Sequence, residues 1–280
     1  VARITGLDHL TMLDIAPPEF VAVAAGAGFD AVGLRVAPVT PGEEAWPVSP
    51  GSPMLAETMR RCGGTGLFVL DVEAIRLGPA AGLAGCEPVL ETAAVLGARY
   101  LNVICDDPDT ARFADRLAEL VRLARPYRVR PVIEFTAWRP IRTLASAVAI
   151  ARGSDGAGLL LDTLHIQRCG ATAAELADLD PALLGYLQLC DAPTQPPHGI
   201  GVPAQMPRGQ RVSAGEDAVL EARTMRLLPG EGELPLTELL GALPNSLPVS
   251  VEAPSLAARR AHTPAQFAAR IRRSLESVLA

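Results

Sequence analysis

Lysine is absent from this 280-residue chain: all 25 of its basic residues are arginine. That absence excludes Schiff-base aldolases, lysine-bound pyridoxal phosphate enzymes and P-loop nucleotidases, each of which needs a lysine amine. Aromatic residues are scarce, at 4%. The five cysteines are odd in number and contain no C-x-x-C pair, so a secreted disulfide framework does not fit and a cytoplasmic setting is expected. No stretch reads as a secretory leader, and none approaches the ~20 uninterrupted apolar residues of a membrane helix, so no membrane partner is expected. A formal charge of −6 argues against a partner with a phosphate backbone, and no nucleic acid is expected.

Aliphatic residues are plentiful. Hydrophobic residues make up 49% and charged ones 20%, enough for a large core, and 25 glycines and 25 prolines provide many turns. Short apolar runs alternate with amphipathic ones. GLDHLTM (6–12), DAVGLRV (30–36), GLFVLDV (66–72), ARYLNVIC (98–105), RPVIEF (130–135), GLLLD (158–162), GYLQLC (185–190) and PVSVE (248–252) read as strands covered on both faces. Between them, PPEFVAVAAGAGF, EPVLETAAVLGA, DTARFADRLAELVRLA and TPAQFAARIRRSLESVLA carry helix-start prolines, Asp or Thr caps, or terminal glycines. Eight such units predict a single α/β domain over residues 1–280, a (β/α)8 barrel rather than an open doubly wound sheet. Glu134, Asp162 and Gln188 recur near the ~31-residue spacing expected if about 250 residues hold eight units, while the step to Glu252 is about twice that. Strand seven is therefore followed by an enlarged loop, whose 192–225 segment is rich in Pro, Gly and polar residues.

In such a barrel the chemistry sits where strands end. Strand five ends in Glu134, strand six in Asp162 and strand eight in Glu252; strand seven contributes Gln188, with Asp191 close behind. Each acid follows an apolar run, where a carboxylate is costly unless paired or bound to a metal. Taken singly, each acid is more often a helix cap or an arginine partner. Taken together, in phase with the barrel period, Glu134, Asp162, Gln188 and Glu252 form a hard, oxygen-rich set suited to Mn2+ or Mg2+. His165 lies three residues beyond Asp162, as a supporting histidine or as a substrate contact and proton donor. His9 falls in strand one, in the core or on a pocket wall; His198 and His262 are expected in solvent. Cys105 and Cys190 are expected as small buried residues. RGQR (208–211) reads as a solvated loop, and PGEG (229–232) lacks the strand-to-helix setting of a phosphate loop.

In their order along the chain, EFVAVAAGAGFDAVGLR, VIEFTAW, LLLDTLHI, YLQLCDAP, RLLPGEGELPL and VSVEAP resemble the xylose-isomerase-like TIM barrels, also called the sugar phosphate isomerase/epimerase superfamily. The resemblance covers almost the whole chain. It implies one divalent ion, Mn2+ or Mg2+ with Co2+ also acceptable, held by Glu, Asp, His and Glu. Carried over, Glu134, Asp162 and Glu252 match, and Gln188 stands at the histidine position, as in some 3-dehydroshikimate dehydratases of the superfamily. His165 matches a histidine that contacts substrate, and Arg226 an arginine that holds a substrate oxygen or anion.

The implied reaction removes a proton next to a carbonyl, with the metal stabilising the enediolate. By the resemblance, a sugar or sugar-phosphate isomerase or epimerase would use Glu134 and Glu252 as base and acid. A dehydratase of the 3-dehydroshikimate or keto-inositol type would expel a β-hydroxyl, with His165 carrying the proton. The substrate is expected to be a small carbohydrate or a cyclic hydroxy-ketone. A nuclease of the endonuclease IV type needs more histidines than the four present. A non-catalytic binding protein with a degenerate site is the remaining class, and homo-oligomerisation is left open.

Overall fold

The computed structural model describes residues 3–80 and 82–280. Eight strands, β1 (Thr5–Asp8), β2 (Ala31–Arg35), β3 (Phe68–Leu77), β4 (Tyr100–Cys105), β5 (Arg130–Glu134), β6 (Gly158–Asp162), β7 (Leu184–Leu189) and β8 (Val249–Val251), close in sequence order into a barrel. Every pairing is parallel, and β8 returns to β1. Around it run α1 (Pro17–Gly26), α2 (Pro53–Thr65), α3 (Glu87–Leu96), α4 (Thr110–Ala124), α5 (Leu144–Gly153), α6 (Thr163–Arg168) and α7 (Ala173–Ala177). The enlarged connection after β7 carries α8 (Asp217–Thr224) and α9 (Leu236–Gly241), and α10 (Leu256–Arg260) and α11 (Pro264–Leu279) close the chain. The fold is the (β/α)8 barrel expected from the alternation of short and amphipathic runs. No helix among the described residues is long and apolar enough to cross a membrane.

The helix ends follow local chemistry. Asp109 caps α4 by accepting from the N–H groups of Ala111 and Arg112, and Thr263 forms a reciprocal capping box with Gln266 at the start of α11. Gly97 ends α3 in the left-handed region at φ 66°, where a side chain would be strained.

Two strands differ from the pattern reading. β1 stops at Asp8, and residues His9–Met12 form a 3₁₀ turn. The His9 ring causes the departure: its Nε2–H donates to the Ile15 carbonyl at 2.9 Å and its Nδ1 accepts from the Arg35 N–H at 3.4 Å. β3 continues five residues beyond Val72, through Glu73 and Arg76. Charged residues conceal the strand in the sequence, but each is neutralised, Glu73 by Arg35 of β2 and Arg76 by Asp106.

The main core lies between the barrel and its helices, with Phe20, Phe113, Phe135 and Phe267 fully enclosed. A smaller apolar plug of Ala31, Leu70, Val132, Leu160 and Tyr186 packs separately from it. Two residues further along several strands, the side chains of the same parity turn polar: Val132 gives way to Glu134, Leu160 to Asp162 and Tyr186 to Gln188. That switch places a buried polar floor above the plug and beneath the mouth of the barrel.

Candidate active site

A pocket opens at the carboxyl ends of the strands, walled by Arg35, Glu73, Asn102, Glu134, His165, Arg226 and Glu252, with Trp138, Arg139 and Arg223 toward the rim. Strand parity accounts for Arg35, Glu73, Asn102, Glu134 and Glu252, each on an inward position of its strand or just past its end, whereas His165 comes from α6 and Arg226 from the connection after α8.

Glu134 ends β5 and is gripped from two sides. Asn102 of β4 donates from Nδ2 to Oε2 at 3.1 Å, and His165 Nε2 lies 3.4 Å from Oε1. Burial alone would raise the Glu134 carboxyl, but the hydrogen bonds from His165 and Asn102 bring it down to about 2. Asp162 closes β6 and caps α6, its Oδ1 accepting from the His165 N–H at 3.1 Å. The cap points the His165 ring back across the pocket to Glu134, where it meets Trp138 edge-on at 5.0 Å. His165 Nδ1 has no partner.

Arg226 is the hub on the opposite side. Its Nη1 donates to Asp162 Oδ2 at 2.5 Å, and its Nη2 lies 2.9 Å from Glu252 Oε2. Nε and Nη1 also donate to the carbonyls of Ala222 and Glu252, at 2.9 and 3.1 Å. The guanidinium expected to hold a substrate oxygen is thus committed to two carboxylates and two backbone oxygens. Gln188 sits between Glu252 and Glu73, and its Nε2 donates to both at 3.2 Å. The amide oxygen expected to face a metal therefore points elsewhere, buried and without a partner. Burial and the neighbouring carboxylates of Glu73, Glu134 and Asp162 outweigh Arg226 and raise the Glu252 carboxyl well above its usual range.

The donor set fits a divalent ion. Ligand atoms of Glu134, Asp162 and His165 lie within 4.8 Å of one another, and Glu252 joins Asp162 through the shared arginine. Among the described residues no arginine pairs with Glu134, and Asp162 and Glu252 share one guanidinium, so their oxygens are available to a hard divalent cation. The structure brings together all six residues singled out from the sequence, namely Glu134, Asp162, His165, Gln188, Arg226 and Glu252. Asp191 faces away. Its carboxylate accepts from the N–H groups of Ala192, Gly230 and Leu234 and so shapes the PGEG turn.

Pattern reading missed Arg35, Glu73, Asn102 and Arg223. Arg35 ends an apolar strand, the same signal that marked Glu134, and Asn102 lies on the inward parity of ARYLNVIC. Arg223 gave no signal, because its position depends on how the enlarged loop folds back. Its Nε and Nη1 are buried without partners at the pocket wall, and burial together with nearby Arg35 lowers it to about 10. The loop itself is not free in solvent. Gln210 donates to Glu43 at 2.9 Å, Glu43 pairs with the wall residue Arg35 at 3.2 Å, and Arg208 stacks over Trp46 at 3.8 Å, so the loop forms a roof over Arg35 from the β2–α2 side. His262, expected in solvent, is half-buried: its Nδ1–H donates to the Ala258 carbonyl at 2.8 Å.

The family model of the xylose isomerase-like TIM barrel matches residues 21–275. No curated protein matches the chain significantly. Among solved structures, a xylose isomerase-like TIM barrel/4-hydroxyphenylpyruvate dioxygenase fusion protein is similar at a TM-score of 0.77 and 19% identity, over 99% of this chain and 43% of that one. The chain thus spans less than half the length of that fusion. The IOLI protein with a binding zinc atom aligns at a TM-score of 0.73 and 18% identity, over 98% and 97% of the two chains. The probable 3-DHS dehydratase AsbF of Bacillus anthracis, involved in petrobactin synthesis, aligns at 0.71 and 11%, over 97% and 98%. At these identities the likeness to the solved structures is one of fold. The family model, however, spans nearly the whole barrel, and the chain belongs to the xylose isomerase-like TIM barrel family.

Proposed function

We propose that this chain is a divalent-metal-dependent isomerase or epimerase that moves a proton next to the carbonyl of a small sugar or sugar phosphate. One observation carries the reading: Glu134 and Glu252 reach the pocket from separate strands, ligand atoms of Glu134, Asp162 and His165 lie within 4.8 Å of one another, and Glu252 shares Arg226 with Asp162. Glu134, Asp162 and Glu252, with His165 alongside, would hold the ion. When bound, it supplies a Lewis acid that polarises a carbonyl or hydroxyl oxygen.

The chain's own groups divide the remaining work. Glu134, anchored by Asn102, takes the proton from carbon through Oε1, and His165 holds that oxygen in place. Glu252 returns a proton from the other wall. Trp138 and the roof formed by Gln210 and Glu43 exclude water.

Arg223 supports a second reading. A buried guanidinium with two unpartnered nitrogens at the wall suits a substrate carboxylate, as in a dehydratase of the 3-dehydroshikimate type, with His165 carrying the proton to the leaving hydroxyl. Metal-stripped protein reconstituted with Mn2+ should act on a panel of ketoses and ketose phosphates, and Glu134→Gln should lose about 10³-fold or more in kcat. Activity on 3-dehydroshikimate alone, with KM raised in Arg223→Gln, selects the dehydratase. Turnover that survives both chelation and Glu134→Gln sinks both readings.

A further inference from the structure

A second acidic group that the proposed chemistry does not use runs from Glu73 on the pocket wall into the barrel interior. Asp8 of β1 and Asp71 of β3 are fully buried, Glu73 is 1% exposed, and one oxygen from each lies within 4.8 Å of the others. Oxygens no further apart than this can share one ion at about 2.3–2.6 Å. Glu73 is paired with Arg35, but among the described residues no arginine or histidine reaches Asp8 or Asp71. Two carboxylates in the barrel interior therefore have no basic side chain paired with them among the described residues.

The backbone makes room for them. Gly33 of β2 lies between both strands, and a Cβ there would sit 2.0 Å from Asp8 Oδ1 and 2.6 Å from Asp71 Oδ1. Both oxygens thus converge on a space that exists because residue 33 has no side chain. Neutral oxygens surround it. Ser250 and Gln188 lie beside Asp8, and Tyr186 beside Asp71, all fully buried. The Ser250 and Tyr186 hydroxyls and the Gln188 amide oxygen have no hydrogen-bond partner. Ser250 Oγ lies over the neighbouring strand β1, 2.8 Å from where a Cβ on Gly6 would lie.

We propose that the barrel interior binds a hard divalent cation, of the Ca2+ or Mn2+ class, on Asp8, Asp71 and Glu73, with the Ser250 hydroxyl and a neutral oxygen of Tyr186 or Gln188 completing the shell. An all-oxygen set with no thiolate or imidazole excludes soft metals. The ion balances the two unpaired carboxylates. Through Glu73 and Gln188 it braces Glu252, so it is a structural ion in the barrel interior.

The test uses Mn2+ as the probe on full-length, metal-stripped protein, with elemental analysis after dialysis. A Glu134→Gln/Asp162→Asn variant, disabled at the pocket, is expected to keep about one Mn2+ per chain and to melt higher with Mn2+ than with EDTA. Adding Asp8→Asn/Asp71→Asn should abolish both the bound ion and the melting shift. Loss of all Mn2+ in the first variant, or its retention in the second, overturns the proposal; in the first case the carboxylates are held by shared protons. Should the asparagine pair not fold, Ser250→Ala in the pocket-disabled background replaces it. A roughly tenfold weaker Mn2+ affinity is then expected, and unchanged affinity overturns the assignment. Because every protein compared carries the same two pocket substitutions, the difference between them is independent of the pocket metal.

Discussion

Replacing Arg226 with methionine tests how the pocket is held together. The side chain is 2% exposed, contacts Asp162 and Glu252 at 2.5 and 2.9 Å, and donates to two backbone carbonyls. Methionine fills similar space but strands both carboxylates in a dry site, where breaking one side of a buried ion pair costs about 3–5 kcal/mol. For a chain of this size about 2 °C of melting temperature corresponds to each kcal/mol, so a drop of about 6–10 °C is expected in EDTA. Arg226→Lys should fall in between, because an ammonium keeps the charge but loses the two-pronged geometry. Mn2+ should recover more of the loss in the methionine variant than in the wild type, since a cation substitutes for the missing guanidinium. Circular dichroism melts with and without metal provide the assay. Melting of the methionine variant within about 1 °C of wild type, or equal losses in both variants, would refute the argument that charge compensation by Arg226 holds the site.

Two further outcomes follow from other contacts. Burial lowers the His9 imidazole to about 4 against 6.5 in the open chain, so its contribution is complete above 6.5 and lost as pH falls through 4. Denaturant unfolding at stepped pH should show about 3 kcal/mol of that loss in wild type and not in His9→Gln; parallel curves would refute it. Arg208, stacked on Trp46 and donating to the carbonyls of Glu44 and Ala45, pins the enlarged loop. Arg208→Ala should weaken that docking by about 1 kcal/mol and speed proteolytic nicking within residues 192–225, while the global melt moves by no more than about 2 °C. Unchanged cleavage would show that the roof is held elsewhere.

Strand positions were legible because both faces of a barrel strand are covered, so apolar runs such as GLLLD and RPVIEF stand out between amphipathic helices. The acids that interrupt those runs, Glu134, Asp162 and Glu252, were legible for the same reason: a carboxylate at the end of a buried strand needs a partner. Two kinds of information were not local. The course of β3 beyond Val72 depends on Arg35 and Asp106, which neutralise Glu73 and Arg76 from other elements. The fold of the enlarged loop depends on Glu43 and Trp46, more than 160 residues away in the chain.

Local pattern, then, was enough for the barrel, the order of its strands and the acids at their ends, because hydrophobic periodicity and isolated charges act over a few residues. Tertiary structure alone decided which of those groups are paired. Closure of the barrel set Arg226 between Asp162 and Glu252, turned the Gln188 amide nitrogen onto two carboxylates, left Arg223 without a partner and drew Asp8 and Asp71 together over Gly33. Whether a buried charge is satisfied depends on what lies within about 4 Å of it, and that distance is set by the closed barrel rather than by spacing along the chain.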